Sequence, residues 1–384
     1  MITRILAQKI LQWSNQYPVV TLTGPRQSGK TTLAKALFPQ HRYLSLEELD
    51  NRRFAREDPR GFIHELKDGA IIDEVQNAPD LLSYVQGEVD DNDRPGRFIL
   101  TGSRQFEMME KVSQSLAGRT AIARLLPFSF EETPGLTSES SADDFIFRGF
   151  YPRIYDRKLA PSEAYGFYLA TYLERDVRQI SQVADLSVFE HFLRLCAGRC
   201  GQLLNLIGLA NELGITHPTV RKWLSILEAS HVVKLLQPWH ANLGKRLVKS
   251  PKLYFIDTGL ACHLLGIEEA HQVKTHPLRG ALFENLIVSE ALKQRFHSGR
   301  SDNLYFFRDH QGHEVDLLLE TAGACDTCEI KAARTINSDF FKGLDTFEQI
   351  AGCTRSRHLI YGGSQARTER NTRIHPWHAF RIDK

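Results

Sequence analysis

The run Gly24-Pro25-Arg26-Gln27-Ser28-Gly29-Lys30-Thr31 limits what this chain can fold into more than any other feature. Before it stands an apolar stretch, Pro18-Val19-Val20-Thr21-Leu22-Thr23, that reads as a buried strand. After it, Thr32-Leu33-Ala34-Lys35-Ala36-Leu37-Phe38 has helical periodicity. A strand, a glycine-bounded loop and a helix in that order form a cradle for polyphosphate. Gly24 and Gly29 let the backbone bend, so that successive N–H groups point inward at a helix N-terminus. Lys30 offers a point charge to β- and γ-phosphates, and the Thr31 hydroxyl suits Mg²⁺; Thr32 extends the cradle. The expected ligands are therefore ATP and Mg²⁺.

The following segments supply the remaining parts of a hydrolytic site. Arg42-Tyr43-Leu44-Ser45-Leu46 reads as a second short strand, and Ala70-Ile71-Ile72-Asp73-Glu74 is an apolar run ending in two acids. At a strand tip, Asp73 suits Mg²⁺, and Glu74 suits orienting and deprotonating a water. Arg97-Phe98-Ile99-Leu100-Thr101-Gly102-Ser103 reads as a neighbouring strand, with Thr101 and, by preference, Ser103 as polar contacts to the γ-phosphate or the water. A helix carrying Met108, Met109, Val112 and Leu116 and a strand Ala121–Phe128 close the unit. Arg119, just before that strand, is a candidate for reaching an ATP phosphate in its own or a neighbouring subunit. Strands alternating with helices imply a parallel sheet with ligands at its carboxyl ends.

A chain of 384 residues suggests two or three domains, and 42% hydrophobic with 24% charged residues is ordinary globular composition. A formal net charge of +2 identifies no partner, so any basic surface has to be local. Sparse use of six cysteines, and an N-terminus without a long apolar core, lead us to expect a cytoplasmic protein without a membrane span.

Residues 1–133 resemble an AAA-type P-loop ATPase. Nearly the whole chain, residues beyond 133 included, resembles a bacterial and archaeal family in which such an ATPase is joined to a C-terminal domain of unknown function with a restriction-endonuclease-like fold. The stretches that carry this are Thr23–Thr32, Ile71-Ile72-Asp73-Glu74-Val75-Gln76, Leu100-Thr101-Gly102-Ser103, Leu116-Ala117-Gly118-Arg119 and Leu126-Pro127-Phe128-Ser129. The resemblance implies an ATPase related to ring-forming or nucleotide-switch machines, with a homo-oligomer as one compatible assembly. A second-sensor arginine of the usual AAA kind is not evident.

Residues 134–195 read as a linker, Glu131 to Asp144, followed by a helical segment. Its aromatic stripe, from Tyr165 to Val177, reads as packing. Residues 196–245 carry a helix-turn-helix pattern. Ile207–Leu213 forms one helix and Gly214-Ile215 a turn; a second helix follows Thr216, and His231–Leu236 serves as a wing strand. Thr219, Arg221 and Lys222 suit DNA contact; a rigid spacer is the alternative.

In residues 246–384, Glu314–Glu320 alternates into a strand and Cys328-Glu329-Ile330-Lys331 into another, joined by a turn from Thr321 to Asp326. Asp316 then lies beside Glu329 and Lys331, with Glu284 contributed by an upstream helix. Carboxylates that hold Mg²⁺ beside a lysine form a set that cuts phosphodiesters. The pattern resembles the PD-(D/E)xK nuclease superfamily, with Val315 where a proline is common. Cys325 and Cys328 read as ordinary thiols, and Lys245–Lys252 as a basic connector able to follow a nucleic-acid backbone.

The expected fold is thus α/β: a parallel-sheet ATPase core, a helical segment, a winged helix and a nuclease-like α/β domain. The expected function is Mg²⁺-dependent ATP hydrolysis coupled to DNA binding or processing. An ATP-regulated nuclease and a nucleotide-gated adaptor for a protein partner are the alternatives.

Overall fold

The computed structural model describes residues 2–102, 114–172, 186–239 and 248–382. The chain divides into two compact units. The first comprises Met1–Phe128 with Ala229–His231 and Arg295–Ser301; the second comprises Ser129–Glu228, Val232–Gln294 and Asp302–Lys384.

The first unit is built on five strands, β1 (Val19–Thr23), β2 (Arg42–Ser45), β3 (Ala70–Asp73), β4 (Phe98–Gly102) and β5 (Thr120–Arg124). Their order is β2-β3-β4-β1-β5, and every pairing is parallel. The near-continuous apolar runs follow from burial on both faces. Val19, Ile72, Phe98 and Leu100 pack in one cluster with Phe62, Leu82 and Val85. Val20, Leu22, Ile71 and Ile99 pack in the other with Leu6, Ile10 and Leu33. Successive residues of a strand point to opposite faces, so Ile71 and Ile72 serve different cores. The parallel sheet inferred from the strand–helix alternation is present.

The second unit carries β6 (Val233–Pro238), β7 (Lys252–Phe255), β8 (Leu304–Arg308), β9 (Glu314–Thr321), β10 (Ala324–Lys331), β11 (Thr354–Tyr361), β12 (Arg367–Glu369) and β13 (Thr372–Pro376). They form one sheet in the order β12-β13-β11-β10-β9-β8-β6-β7. The strand expected as a wing, β6, pairs with β7 and β8 inside this sheet. A boundary at 245/246 therefore falls between two hydrogen-bonded strands.

The β9–β10 turn is shorter than the sequence reading. Only Ala322 and Gly323 separate the strands, at φ 52° and 80°. Two positive-φ residues match the right-handed twist of a hairpin, so Cys325 and Asp326 belong to β10 and not to the turn. The linker is shorter too: a helix starts at Ala142, and Glu132 and Thr133 are buried.

The aromatic stripe packs as expected in part, because Phe167 stands 73% exposed. Tyr165, Tyr168, Leu169 and Tyr172 of the helix Pro161–Tyr172 are buried; Leu173 to Val177 lie outside the described residues. The Tyr165 hydroxyl donates to Asp257 Oδ1 at 2.5 Å, and Asp257 caps the helix Thr258–Leu264 through the amides of Gly259 and Leu260. The helices Leu206–Leu213 and His217–Ala229 flank a left-handed Gly214, with Asn205 capping the first. Trp223 packs on Phe189 and Phe192.

Candidate functional site

The phosphate loop starts where β1 ends. Gly24 has φ 146°, and a Cβ there would stand 2.1 Å from the Leu125 carbonyl oxygen, so no larger residue fits. Gly29, at φ 93°, is the left-handed N-cap of the helix Lys30–Leu37. The amides that open that helix, the end that favours anions, follow directly on the loop. Pro25 and Ser28 are buried, Arg26 is half-buried, and Gln27 (φ 61°) and Thr32 are exposed. Lys30 Nζ donates to the carbonyls of Gly24 at 3.0 Å and Pro25 at 2.8 Å. Ser28 Oγ is buried and finds no hydrogen-bond partner among the described residues.

Asp73 ends β3 and collects hydroxyls. Thr31 Oγ1 donates to its two oxygens at 3.2 and 3.1 Å, Tyr43 Oη donates to Oδ2 at 2.8 Å, and Thr101 Oγ1 donates to Oδ1. Burial, and then the hydrogen bond to and charge of Asp73, hold the Tyr43 phenol above its usual range, so it remains a donor. Glu74 follows in a left-handed conformation, φ 55° and ψ 48°, and accepts from Gln76 Nε2. Left-handed backbone at a non-glycine residue is a strained state that surrounding structure must enforce.

Asp73, Glu74, Lys30, Thr31 and Thr101 thus converge at the carboxyl ends of β1, β3 and β4. Ser103 lies outside the described residues, as do Met108, Met109 and Val112. Arg119 does not join the loop of its own chain. It precedes β5, its carbonyl accepts from the Val19 amide, and its guanidinium pairs with Asp90 at 2.5 and 2.9 Å. Because β1 and β5 are parallel, that is the amino end of the sheet, opposite the loop.

A second constellation lies in the other unit. Lys331 Nζ stands 2.5 Å from Glu329 Oε1 and 3.2 Å from Asp316 Oδ2, and the Ile330 amide donates to Asp316 Oδ2 at 2.7 Å. Glu284, on the helix Arg279–His297, accepts from Lys252 Nζ at 2.8 Å and from the Tyr254 hydroxyl. Glu314 pairs with Lys252 and with Arg308, the latter at 2.9 Å. Glu284, Glu314 and Asp316 each present an oxygen within 4.8 Å of the others. Burial, then the charge of Asp316, pushes the Glu284 carboxyl up to about 7 and raises Glu329 well above its ordinary value. Burial would lower the Lys252 ammonium, but Glu284, Asp316 and Glu314 outweigh it and hold it charged.

The structure therefore gathers Glu284, Asp316, Glu329 and Lys331, as the sequence pattern implied. It moves Lys252 from a basic connector to a buried counter-ion; Lys245 and Arg246 lie outside the described residues.

A family model described as an AAA domain matches residues 16–133. Domains of unknown function match residues 139–271 (DUF8612) and 279–380 (DUF4143). Uncharacterized protein Rv2008c of Mycobacterium tuberculosis is 33% identical over 337 residues, covering 86% of this chain and 74% of that protein. Uncharacterized protein Mb2031c of Mycobacterium bovis matches to the same extent. The chain belongs to the family of these two proteins. Its AAA domain makes it a P-loop ATPase. Among solved structures, the Walker-type ATPase PABY2304 of Pyrococcus abyssi is 17% identical with a TM-score of 0.44, over 67% of this chain and 94% of that one. Cdc6p from Pyrobaculum aerophilum is 14% identical with a TM-score of 0.24, over 61% of this chain and 86% of that one. Likenesses that loose carry no argument. No helix among the described residues is long and apolar enough to cross a membrane.

This ATPase has residues at both constellations that the sequence reading missed. Arg4 is buried and donates to the carbonyls of Ser28 at 2.8 Å and Leu126 at 2.6 Å, so it braces the phosphate loop from the N-terminal segment. Tyr43 and Gln76 hold the two acids. No local pattern marks Arg4 or Tyr43, whereas Gln76 closes the stretch from Ile71 that carries the family resemblance. Glu314 had a signal: it lies two residues before Asp316 in one strand and so shares its face.

Proposed function

We propose that this ATPase hydrolyses ATP with Mg²⁺ at the carboxyl ends of β1, β3 and β4. The observation that carries the reading is the Asp73 carboxylate seated on the Thr31 hydroxyl, with Glu74 presented in a left-handed turn beside it. A hydroxyl and a carboxylate are hard oxygen donors suited to Mg²⁺, so Thr31 and Asp73 would hold it. When bound, Mg²⁺ supplies charge neutralisation to the phosphate oxygens. Loop amides between Arg26 and Thr32 cradle the phosphates, Pro25 having none to offer, and the buried Ser28 hydroxyl is a further donor. Lys30 exchanges its carbonyl partners for phosphate oxygens. Glu74, positioned by Gln76, takes the proton of the attacking water, and Thr101 fixes Asp73. Phosphoryl transfer is mainly a problem of positioning and charge stabilisation, which these groups address. In this scheme Arg119 acts, if on ATP, across a subunit boundary.

The test is phosphate release from ATP. Lys30→Ala is expected to abolish nucleotide binding or turnover. Glu74→Gln is expected to retain binding while turnover falls on the order of 100-fold or more. Full activity in both variants sinks the assignment.

A second reading applies to the second unit: a nuclease-like sheet acting on phosphodiesters, with the helix pair Leu206–Leu213 and His217–Ala229 contacting DNA. Lys331 between Asp316 and Glu329 favours it, and Arg221 and Lys222 are exposed on their helix. Mg²⁺-dependent DNA cleavage that is lost in Asp316→Ala and Lys331→Ala would support it. Intact DNA under all conditions would leave an ATPase with an adaptor domain.

A further inference from the structure

Lys252 is the least expected member of the carboxylate cluster. Its side chain is almost entirely inside the protein, at 3% exposure. Its place is set by the backbone: it opens β7, paired with Leu236 of β6 and bridged to Leu203. The aromatic face of Phe306 lies 5.5 Å from the ammonium. A buried ammonium is tolerated only where counter-charges surround it. Lys252 has them in Glu284 and Glu314, two of the three carboxylates whose oxygens gather within 4.8 Å. The third, Asp316, is taken by Lys331 and the Ile330 amide.

We propose that the Lys252 ammonium is the built-in cation of the Glu284–Glu314–Asp316 pocket, and that a divalent ion enters only where Lys252 is displaced. This rests on reading the cluster as a cation-holding site, and it changes what that site needs. A divalent ion demands several oxygens at once, and two of the available carboxylates already hold the ammonium. A divalent ion and an ammonium on the same oxygens would repel each other strongly in a buried setting. A neighbouring acid, joined to Asp316 through Lys331, has unused ligand capacity. Glu329 Oε2 has no hydrogen-bond partner among the described residues, although Glu329 is only 7% exposed. A buried oxygen left unpaired is costly, and a cation or a proton would satisfy it.

The experiment titrates the nucleotide-free full chain with Mn²⁺ alone, followed by the Mn²⁺ electron paramagnetic resonance signal and by thermal unfolding. The wild type is expected to bind no Mn²⁺ at this cluster below about 1 mM. Lys252→Met and Lys252→Gln are expected to bind one Mn²⁺ at least about tenfold more tightly. The bound Mn²⁺ should raise their melting temperature, and adding Glu314→Gln should erase both effects. A Lys252 variant that does not fold alone is expected to fold when Mn²⁺ is present during refolding. Three results would overturn the proposal: wild-type Mn²⁺ binding that Glu314→Gln weakens; Lys252 variants that bind no better than wild type; or variants that fold neither with nor without the ion. DNA cleavage is scored separately. Mn²⁺ binding that follows these expectations while neither the wild type nor the Lys252→Met chain cuts DNA would end the phosphodiester reading and leave the cation assignment standing.

Discussion

Lys30 and Lys252 are both buried lysines that sit among oxygens, yet they do so on opposite terms. Lys30 rests in part on two main-chain carbonyls of its own loop. Neutral carbonyls are partners that a phosphate can replace, because an anion offers an ammonium more than a dipole does. Lys252 rests on carboxylates. No incoming anion gains by displacing them, since the ammonium is already neutralised and the pocket would repel negative charge. One lysine is arranged to receive an anionic ligand and the other to close a pocket. What separates these contacts is charge, since two carbonyls under Lys30 are neutral and the carboxylates on Lys252 are acids.

Truncating each lysine is the strongest way to break this comparison. Lys252→Ala should destabilise the second unit by about 3–5 kcal/mol, because it strands buried carboxylates without a counter-charge. Lys30→Ala should change stability by far less while removing ATP turnover. Denaturant unfolding of both variants beside the ATPase assay checks the contrast, and equal losses of stability would erase it.

Acid sharpens the comparison next. His358 is buried, contacts Ser356 Oγ at 2.7 Å and His375 Nε2 at 3.1 Å, and has its pKa lowered from 6.5 to about 4, first by burial and then by His375. The folded state thus resists the proton more than the unfolded chain does. The contribution to stability is full above pH 6.5 and is lost as pH falls toward 4. The loss amounts to at most about 3 kcal/mol. His358→Gln should flatten that acid limb, as urea midpoints measured between pH 7 and 4 would show. An unchanged limb would remove His358 as its source.

Smaller effects test how the phosphate loop is braced. Arg4→Ala leaves the Ser28 and Leu126 carbonyls without their donor and should cost about 2 kcal/mol. It should also raise the KM for ATP more than it lowers kcat, because the loop is loosened while the acids stay in place. Tyr43→Phe removes one of the hydroxyls on Asp73 and should cost about 1 kcal/mol, with only a modest effect on turnover. A Tyr43→Phe enzyme as damaged as Lys30→Ala would place the phenol in the chemistry itself.

The phosphate site was legible wherever function requires residues adjacent in sequence. Gly24 to Thr32 must be contiguous because one tight turn has to bring the loop amides together, and Asp73-Glu74 must end an apolar run because the acids have to emerge at a strand tip. The bracing was not legible. Arg4 comes from a segment with no motif, and Tyr43 from a neighbouring strand whose alignment with β3 is set by sheet register. Arg119 shows a related limit: sequence marks it as next to a strand, but only the parallel pairing with β1 shows which end of the sheet that is. In the second unit, the alternation Glu314-Val315-Asp316 already put two acids on one face, whereas Lys252 looked like part of a solvated basic run.

By itself, the sequence determined that this chain would bind polyphosphate on a parallel α/β core and that acids and a lysine would face each other across the β9–β10 hairpin. Local patterns of glycine, apolar runs and alternation suffice for that, because they act through hydrogen bonds and burial along contiguous chain. Only the tertiary structure decided which charges meet. It put Lys252 inside on carboxylates drawn from a helix and a separate strand, and it set Arg119 at the far end of the sheet. Electrostatic partnership falls off over a few ångströms of space and is blind to distance along the chain, so no reading of neighbours could have supplied it.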